Sequence, residues 1–199
     1  LKEIASLSPG DAEVAYQMGS LYERNEMAKE AMEVYGTFLG KFPDHPRTTE
    51  AALRLGFLES REGKRESALK AYRIAARSPR PRIAEPARYH IALDMEERGK
   101  VENALAEYEK LAVHDLTVSK WRRAASWRAA ALREQRKEWK RAIGHYKRIS
   151  RISSSNSDES KSLVQEARQA AARAQKLRDY LDRARNREEK MRNRVPFVR

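Results

Sequence analysis

Apolar and small residues recur along this chain three and four apart, the spacing of one face of a helix, in segments separated by short polar breaks. One combination returns four times: an alanine, three residues, then a tyrosine, as Ala31 and Tyr35, Ala68 and Tyr72, Ala104 and Tyr108, and Ala142 and Tyr146. The alanines are 37, 36 and 38 residues apart. At a constant distance upstream of each stands a small residue, Gly19, Gly56, Ala92 or Ala130, following Met18, Leu55, Ile91 or Ala129. A small residue permits close approach of two helices, and Ala and Tyr one turn apart share a face. The unit is therefore a pair of helices. Asn25, Gly63 and Gly99 break the chain within pairs, and Pro43, Pro46, Pro79 and Pro81 break it between them. The predicted pairs are 12–25 with 28–41, 48–62 with 65–77, 84–98 with 101–113, and 119–136 with 138–151. Pro86 then falls in the first turn of its helix, where the missing N–H costs nothing.

This pattern resembles the tetratricopeptide repeat, whose unit reads Trp-x2-Leu-Gly-x2-Tyr, then Ala-x3-Phe, then Pro. The first copy carries Met18, Gly19, Tyr22, Ala31, Tyr35, Phe38 and Pro43 at the family's positions; the second keeps Leu55, Gly56, Gly63, Ala68 and Tyr72, and the third Gly99, Ala104 and Tyr108. The fourth keeps Ala142 and Tyr146, with Arg133 where the family has an aromatic residue. The resemblance implies an all-α, right-handed α-solenoid of four repeats, at 11–45, 46–82, 83–117 and 118–151. The run from Phe38 to Pro46 followed by Ala51-Ala52-Leu53-Arg54-Leu55-Gly56 is similar to repeats of bacterial cell-envelope proteins, the outer-membrane assembly lipoproteins and the Tol–Pal coordinator of division. That likeness favours periplasm or envelope over cytoplasm.

Outside the four repeats, Pro9 lies 34 residues before Pro43, so residues 1–10 read as the end of a preceding repeat in a longer parent chain. A Ser-rich linker occupies 152–160, with Ser157 or Asp158 as a helix cap, and a tail 195–199 closes the chain. Between them, a long basic helix is predicted over 161–194. Leu163, Ala167, Ala170, Ala174, Leu177, Leu181, Ala184 and Met191 form its apolar seam. Such a helix caps the last repeat, pairs with a partner as a coiled coil, or leads into further repeats.

Charge is divided unevenly. The net charge of +13 resolves into 18 Lys and Arg against 20 Asp and Glu over residues 1–118, and 24 against 9 over 119–199. A basic end of this kind suits a polyanionic partner: nucleic acid, an anionic membrane surface or an acidic protein. Arg122, Arg123, Arg128, Arg133, Arg136, Lys140 and Arg141 form the candidate basic surface, with Trp121, Trp127 and Trp139 among them as stacking candidates. Trp139 stands at the start of a second helix and suits the core. No apolar run approaches the roughly 18–20 residues of a bilayer-spanning helix.

Catalytic chemistry finds no support. There is no cysteine, which removes disulfides, thiolate metal sites and thiol nucleophiles together. Gly56 and Gly63-Lys64 are too far apart for a phosphate loop, and Arg65 replaces the Ser or Thr that would hold magnesium. His45, His90, His114 and His145 form no i,i+4 pair, and no Gly-x-Ser-x-Gly elbow exists. Neither an active site, a cofactor, a metal nor a small-molecule substrate is expected. A protein or peptide partner is. The resemblance implies that first helices line a concave groove, which here carries Tyr16, Leu53, Phe57, Tyr89, Leu93 and Trp127 in its middle and Glu23, Glu96 and Glu134, with Ser60, along one edge. These positions lack the Lys and Asn of chaperone-clamping repeats and suit an apolar segment of a partner.

Overall fold

In the computed structural model residues 11–116, 119–151 and 159–192 are described, without the side chains at 159–164 and 167. The expected repeat end at 1–10, the linker at 152–158 with its caps, the tail, and the seam side chains Leu163 and Ala167 lie outside the described residues. Nine α-helices and no strand occur among the described residues. They are α1 Ala12–Arg24, α2 Ala28–Lys41, α3 Thr48–Arg61, α4 Arg65–Ala75, α5 Pro81–Glu97, α6 Val101–Ala112, α7 Lys120–Gln135, α8 Trp139–Ser150 and α9 Glu159–Arg192. They group into two compact units, α1–α5 and α6–α9, divided after Lys100.

Each pair is closed by the same turn. A residue with positive φ, Glu26, Gly63, Gly99 or Lys137, follows the first helix. The next amide donates back across the turn: Met27 to the Tyr22 carbonyl, Lys64 to Glu59, Lys100 to Met95 and Glu138 to Arg133, at 2.8–2.9 Å. This six-to-one bond caps orphan helix carbonyls, and its left-handed residue favours glycine. Two of the four positions hold Glu and Lys instead. Asn25, the predicted breaker, is the residue before the left-handed Glu26, and its side-chain amide donates to the Leu21 carbonyl at 3.0 Å.

One predicted boundary shifts. Pro81 is the first residue of α5, behind an extended Arg80, so the helix begins a turn before the expected start at 84. Pro86 consequently lies inside the helix, past its first turn, where its ring removes the amide that would bond to the Arg82 carbonyl.

In the first unit, the small residues do the work expected of them. A Cβ added to Gly19 would stand 2.7 Å from the Tyr35 ring, and one added to Gly56 would stand 2.6 Å from Tyr72. The two tyrosines are buried, and with Phe38, Leu55 and Leu53 they form the cores on either side of α3. Arginines tie successive pairs together: Arg47 Nε donates to Glu13 at 2.9 Å, and Arg80 reaches the Pro46 carbonyl at 3.0 Å.

In the second unit, α9 covers the apolar face of α8. Ala170, Ala174 and Leu177 are buried against Ala130, Ile143, Tyr146 and Ile149, with Trp127, Trp139 and Leu181 packed around them. The C-terminal helix therefore caps this unit through residues 170–181. Trp139 belongs to that packing, with its ring 5.3 Å from Tyr180. Beyond residue 184 the helix is exposed to its described end.

Candidate functional site

Of the expected groove residues, Tyr16 and Leu53 are buried. The Tyr16 ring packs 6.1 Å from Tyr35 and 6.2 Å from Phe38, with the Arg47 guanidinium 4.7 Å above it. Phe57, Tyr89 and Leu93 are half-buried in the first unit, and Trp127 is half-buried in the second, its ring edge-on to Tyr146 at 5.1 Å. Phe57 and His90 stand 5.4 Å apart edge to face, and Leu93 lies one turn further along α5, so α3 and α5 bring three of the expected residues into one neighbourhood.

The glutamate edge has a structural role. Glu23 accepts a hydrogen bond from the Tyr35 hydroxyl at 3.1 Å and another from Arg54 at 3.2 Å. In the second unit Glu134 accepts from the Tyr146 hydroxyl at 3.2 Å and is held in a fork by Arg173 of α9, whose Nε lies at 2.9 Å. Burial, reinforced by the neighbouring carboxylate, pushes both phenols above their usual range. Each unit thus contains a Tyr–Glu–Arg set in which a buried hydroxyl is satisfied by a carboxylate and the carboxylate by a cation.

The second repeat departs from this arrangement. Ser60 occupies the glutamate position, and His90 occupies the position of Arg54, two residues before the small residue of its helix. The Tyr72 hydroxyl is buried and makes no hydrogen bond. Burial pushes it up to about 12, opposed by the nearby Ser60 hydroxyl, which does not reach hydrogen-bonding geometry, and reinforced by the Glu59 carboxylate. A cavity of about 300 Å³ opens beside it, lined by Ser60, Arg65, Tyr72, His90, Leu93, Asp94 and Glu97 among others. The imidazole of His90 stacks on the Tyr72 ring at 5.0 Å, and burial holds its pKa below the usual histidine value. At the rim, Arg65 pairs with Asp94 and, at 3.1 Å, with Glu97; Arg98 also pairs with Asp94, at 2.9 Å, and their hydrogen bonds hold the Asp94 carboxyl below its usual range against the opposing effect of burial.

Comparison with known proteins agrees with this architecture. Residues 13–45 match the family model described as tetratricopeptide repeat. No curated protein matches the chain. Among solved structures, a tetratricopeptide repeat protein from Parabacteroides merdae is 19% identical with a TM-score of 0.64, covering 87% of this chain and 62% of its own. The tetratricopeptide fold is shown. BtubC (BKLC) from P. vanneervenii is similar at 15% identity and a TM-score of 0.51, over 82% of this chain and 78% of its own. This chain spans 62% of the length of the Parabacteroides protein. The matched stretch is the copy with the most tetratricopeptide residues, Gly19, Tyr22, Ala31, Tyr35, Phe38 and Pro43.

Within this tetratricopeptide framework, much of the expected basic surface is engaged in the second unit. Arg133 is mostly buried, donates to both Glu109 oxygens at 2.9–3.0 Å and also reaches Glu138. Arg136 pairs with Glu102 and Glu138, and Arg141 with Glu138 at 3.2 Å. Arg123 pairs with Glu166 of α9 at 3.3 Å, and Arg122 donates to the Asp115 carbonyl at 3.2 Å. Arg128 and Lys140 are exposed. His145, between Ser126 at 3.2 Å and Glu109 at 3.5 Å, has its pKa lowered by burial, with Glu109 opposing. Among the described residues no three His, Asp or Glu side chains are grouped to hold a metal, and no helix is long and apolar enough to cross a membrane.

Proposed function

We propose that this chain is a non-catalytic interaction scaffold that binds an apolar segment of a partner protein, with Phe57, Tyr89 and Leu93 on α3 and α5 as the contact face in the first unit. The grouping of the half-buried Phe57 and Tyr89 rings about His90, which together with Leu93 lines an open cavity, carries the reading. Aromatic side chains already ordered by their own helices lose little freedom on binding and exclude water over a large area. Trp127 extends the same chemistry to the second unit. The likeness of residues 38–56 to repeats of bacterial envelope proteins supports placing the assembly in the cell envelope. The test is capture from an extract of the source cells with the full chain and with a Phe57→Ala, Tyr89→Ala variant that retains its helical circular dichroism. Loss of a partner from the variant supports the reading, and an unchanged set of captured proteins overturns it.

A second reading, contact with nucleic acid or an anionic membrane, is favoured by one observation. Arg183, Arg185, Arg187, Lys190 and Arg192 are all exposed on the part of α9 beyond its packed section. Binding through them releases counterions, so retention on heparin would fall steeply between low and moderate salt. Salt-independent retention would overturn that reading.

A further inference from the structure

Among the described residues, the cavity in the first unit is set apart by a buried hydroxyl that needs a partner. Tyr35 and Tyr146, at the same place in their repeats, each donate to a glutamate twelve residues earlier, and that glutamate is bound by an arginine. At the second repeat, the residue twelve before Tyr72 is Ser60, which is too short to supply a carboxylate, and an imidazole stands where Arg54 stands one repeat before. The volume left by these two smaller side chains remains open beside Tyr72. Leaving a buried phenol without a hydrogen bond is costly, so any group that reached it and accepted a hydrogen bond from it would recover that cost on binding.

We infer that this cavity receives a carboxylate side chain, Glu or Asp, from the partner segment, which takes from Tyr72 and Ser60 the place that Glu23 and Glu134 fill in their own repeats. This inference rests on the scaffold reading above and names what the partner must contain. The rim offers an entering anion one exchangeable cation, Arg65. Arg65 pairs with Asp94 and Glu97 and Arg98 with Asp94 and Glu66, and the Arg65 contact with Glu97 is the exchangeable one, because the Glu97 side chain is half-exposed. An incoming carboxylate displaces Glu97 from Arg65 and gains a cation, completing the hydroxyl, carboxylate and guanidinium arrangement of the first and fourth repeats. The aliphatic part of the entering side chain lies against Leu93 and the stacked Tyr72 and His90 rings.

The experiment uses the full chain and a displayed library of random peptides about twelve residues long. Peptides selected by the native chain are expected to share an acidic residue. Replacing that residue by its amide should weaken binding about tenfold to the native chain and less than twofold to Tyr72→Phe, which removes the buried hydroxyl without opening space. Ser60→Glu, which supplies the missing carboxylate from within, should abolish the acidic preference. Failure to select any peptide would overturn the scaffold reading itself. Selected peptides without an acidic residue, or an amide penalty equal in native and Tyr72→Phe chains, would overturn the carboxylate site while leaving the scaffold standing. Glutarate binding as tightly as the best peptide, with the same dependence on Tyr72, would assign the site to a free acid and overturn the peptide as its occupant.

Discussion

Gly19 to Ala isolates the close approach of α1 to α2. The new Cβ would lie 2.7, 2.9 and 3.0 Å from three atoms of the Tyr35 ring. Ordinary carbon contacts begin near 3.5 Å, so the ring or the helix must retreat by roughly 0.5–1 Å. Tyr35 has little freedom to do so, being 0% exposed, packed on Tyr16, and held at its hydroxyl by Glu23. Forcing a methyl into such a core costs about 1–3 kcal/mol. Against this, alanine favours a helix over glycine by about 0.8–1 kcal/mol. Gly36 lies in the same pair, in α2, where an added Cβ meets nothing. Gly36→Ala therefore collects the helical gain alone, and the difference between the two variants is the overpacking energy itself, about 1–3 kcal/mol. Urea unfolding followed by far-UV circular dichroism reads that difference, with both midpoints referred to the native chain. Gly56→Ala should fall between them, because Tyr72 has a cavity beside it into which its ring can move. If Gly19→Ala unfolds at the same urea concentration as Gly36→Ala, the close approach does not constrain the pair and the reasoning fails.

Three further outcomes follow from the turns, the buried histidines and the last helix. Glu26→Gly and Lys137→Gly should each stabilise the protein by a few tenths to about 1 kcal/mol, since both hold a left-handed backbone that glycine adopts without a steric penalty; thermal melts check this, and a lowered melting temperature would contradict it. His90 and His145 have folded pKa values below the ordinary histidine value of about 6.5, so the unfolded chain takes up protons first and stability falls as pH drops below that value. The carboxylates held down by arginine, Asp94 and Glu138, keep their contribution through that range and lose it only below about pH 4.5, so urea midpoints measured across pH should show two declines, with the upper one reduced in a His90→Gln, His145→Gln variant. Leu177→Ala should cost about 2–4 kcal/mol and raise hydrogen exchange in α8, whereas Met191→Ala, 71% exposed, should leave both unchanged.

The alanine and tyrosine ladder could be read from sequence because it depends on two local facts, a helical face and a constant distance to a small residue. Both helices of every pair were located to within a few residues by these signals. The start of α5 escaped because two adjacent prolines, Pro79 and Pro81, look equivalent as breakers, while only an extended Arg80 makes Pro81 the first helical residue. The left-handed positions at Glu26 and Lys137 escaped for a different reason. The turn is specified by its hydrogen bonds and by the packing on either side, and glycine merely makes it cheaper.

The glutamates show the limit most clearly. Their spacing from the tyrosines was visible, twelve residues in three of four repeats, but a carboxylate at regular intervals along a helix reads as a polar edge of a groove. What converts it to an internal hydrogen bond is a cation from the helix after next, Arg54 of α3 for Glu23 and Arg173 of α9 for Glu134, and α9 has no repeat register to predict it. Once that set is known, the sequence gains a rule it did not appear to contain. In the third repeat Glu96 again stands twelve residues before Tyr108, and Arg128 again stands two residues before the small residue of its helix, so Ser60 and His90 mark the second repeat as the exception. A departure confined to one repeat, at two positions that meet around one buried hydroxyl, is how a chain built for uniform stacking acquires a distinct site. The feature that singles out Tyr72 is therefore the absence of its own glutamate, and the chemistry that would replace it is already present on either side.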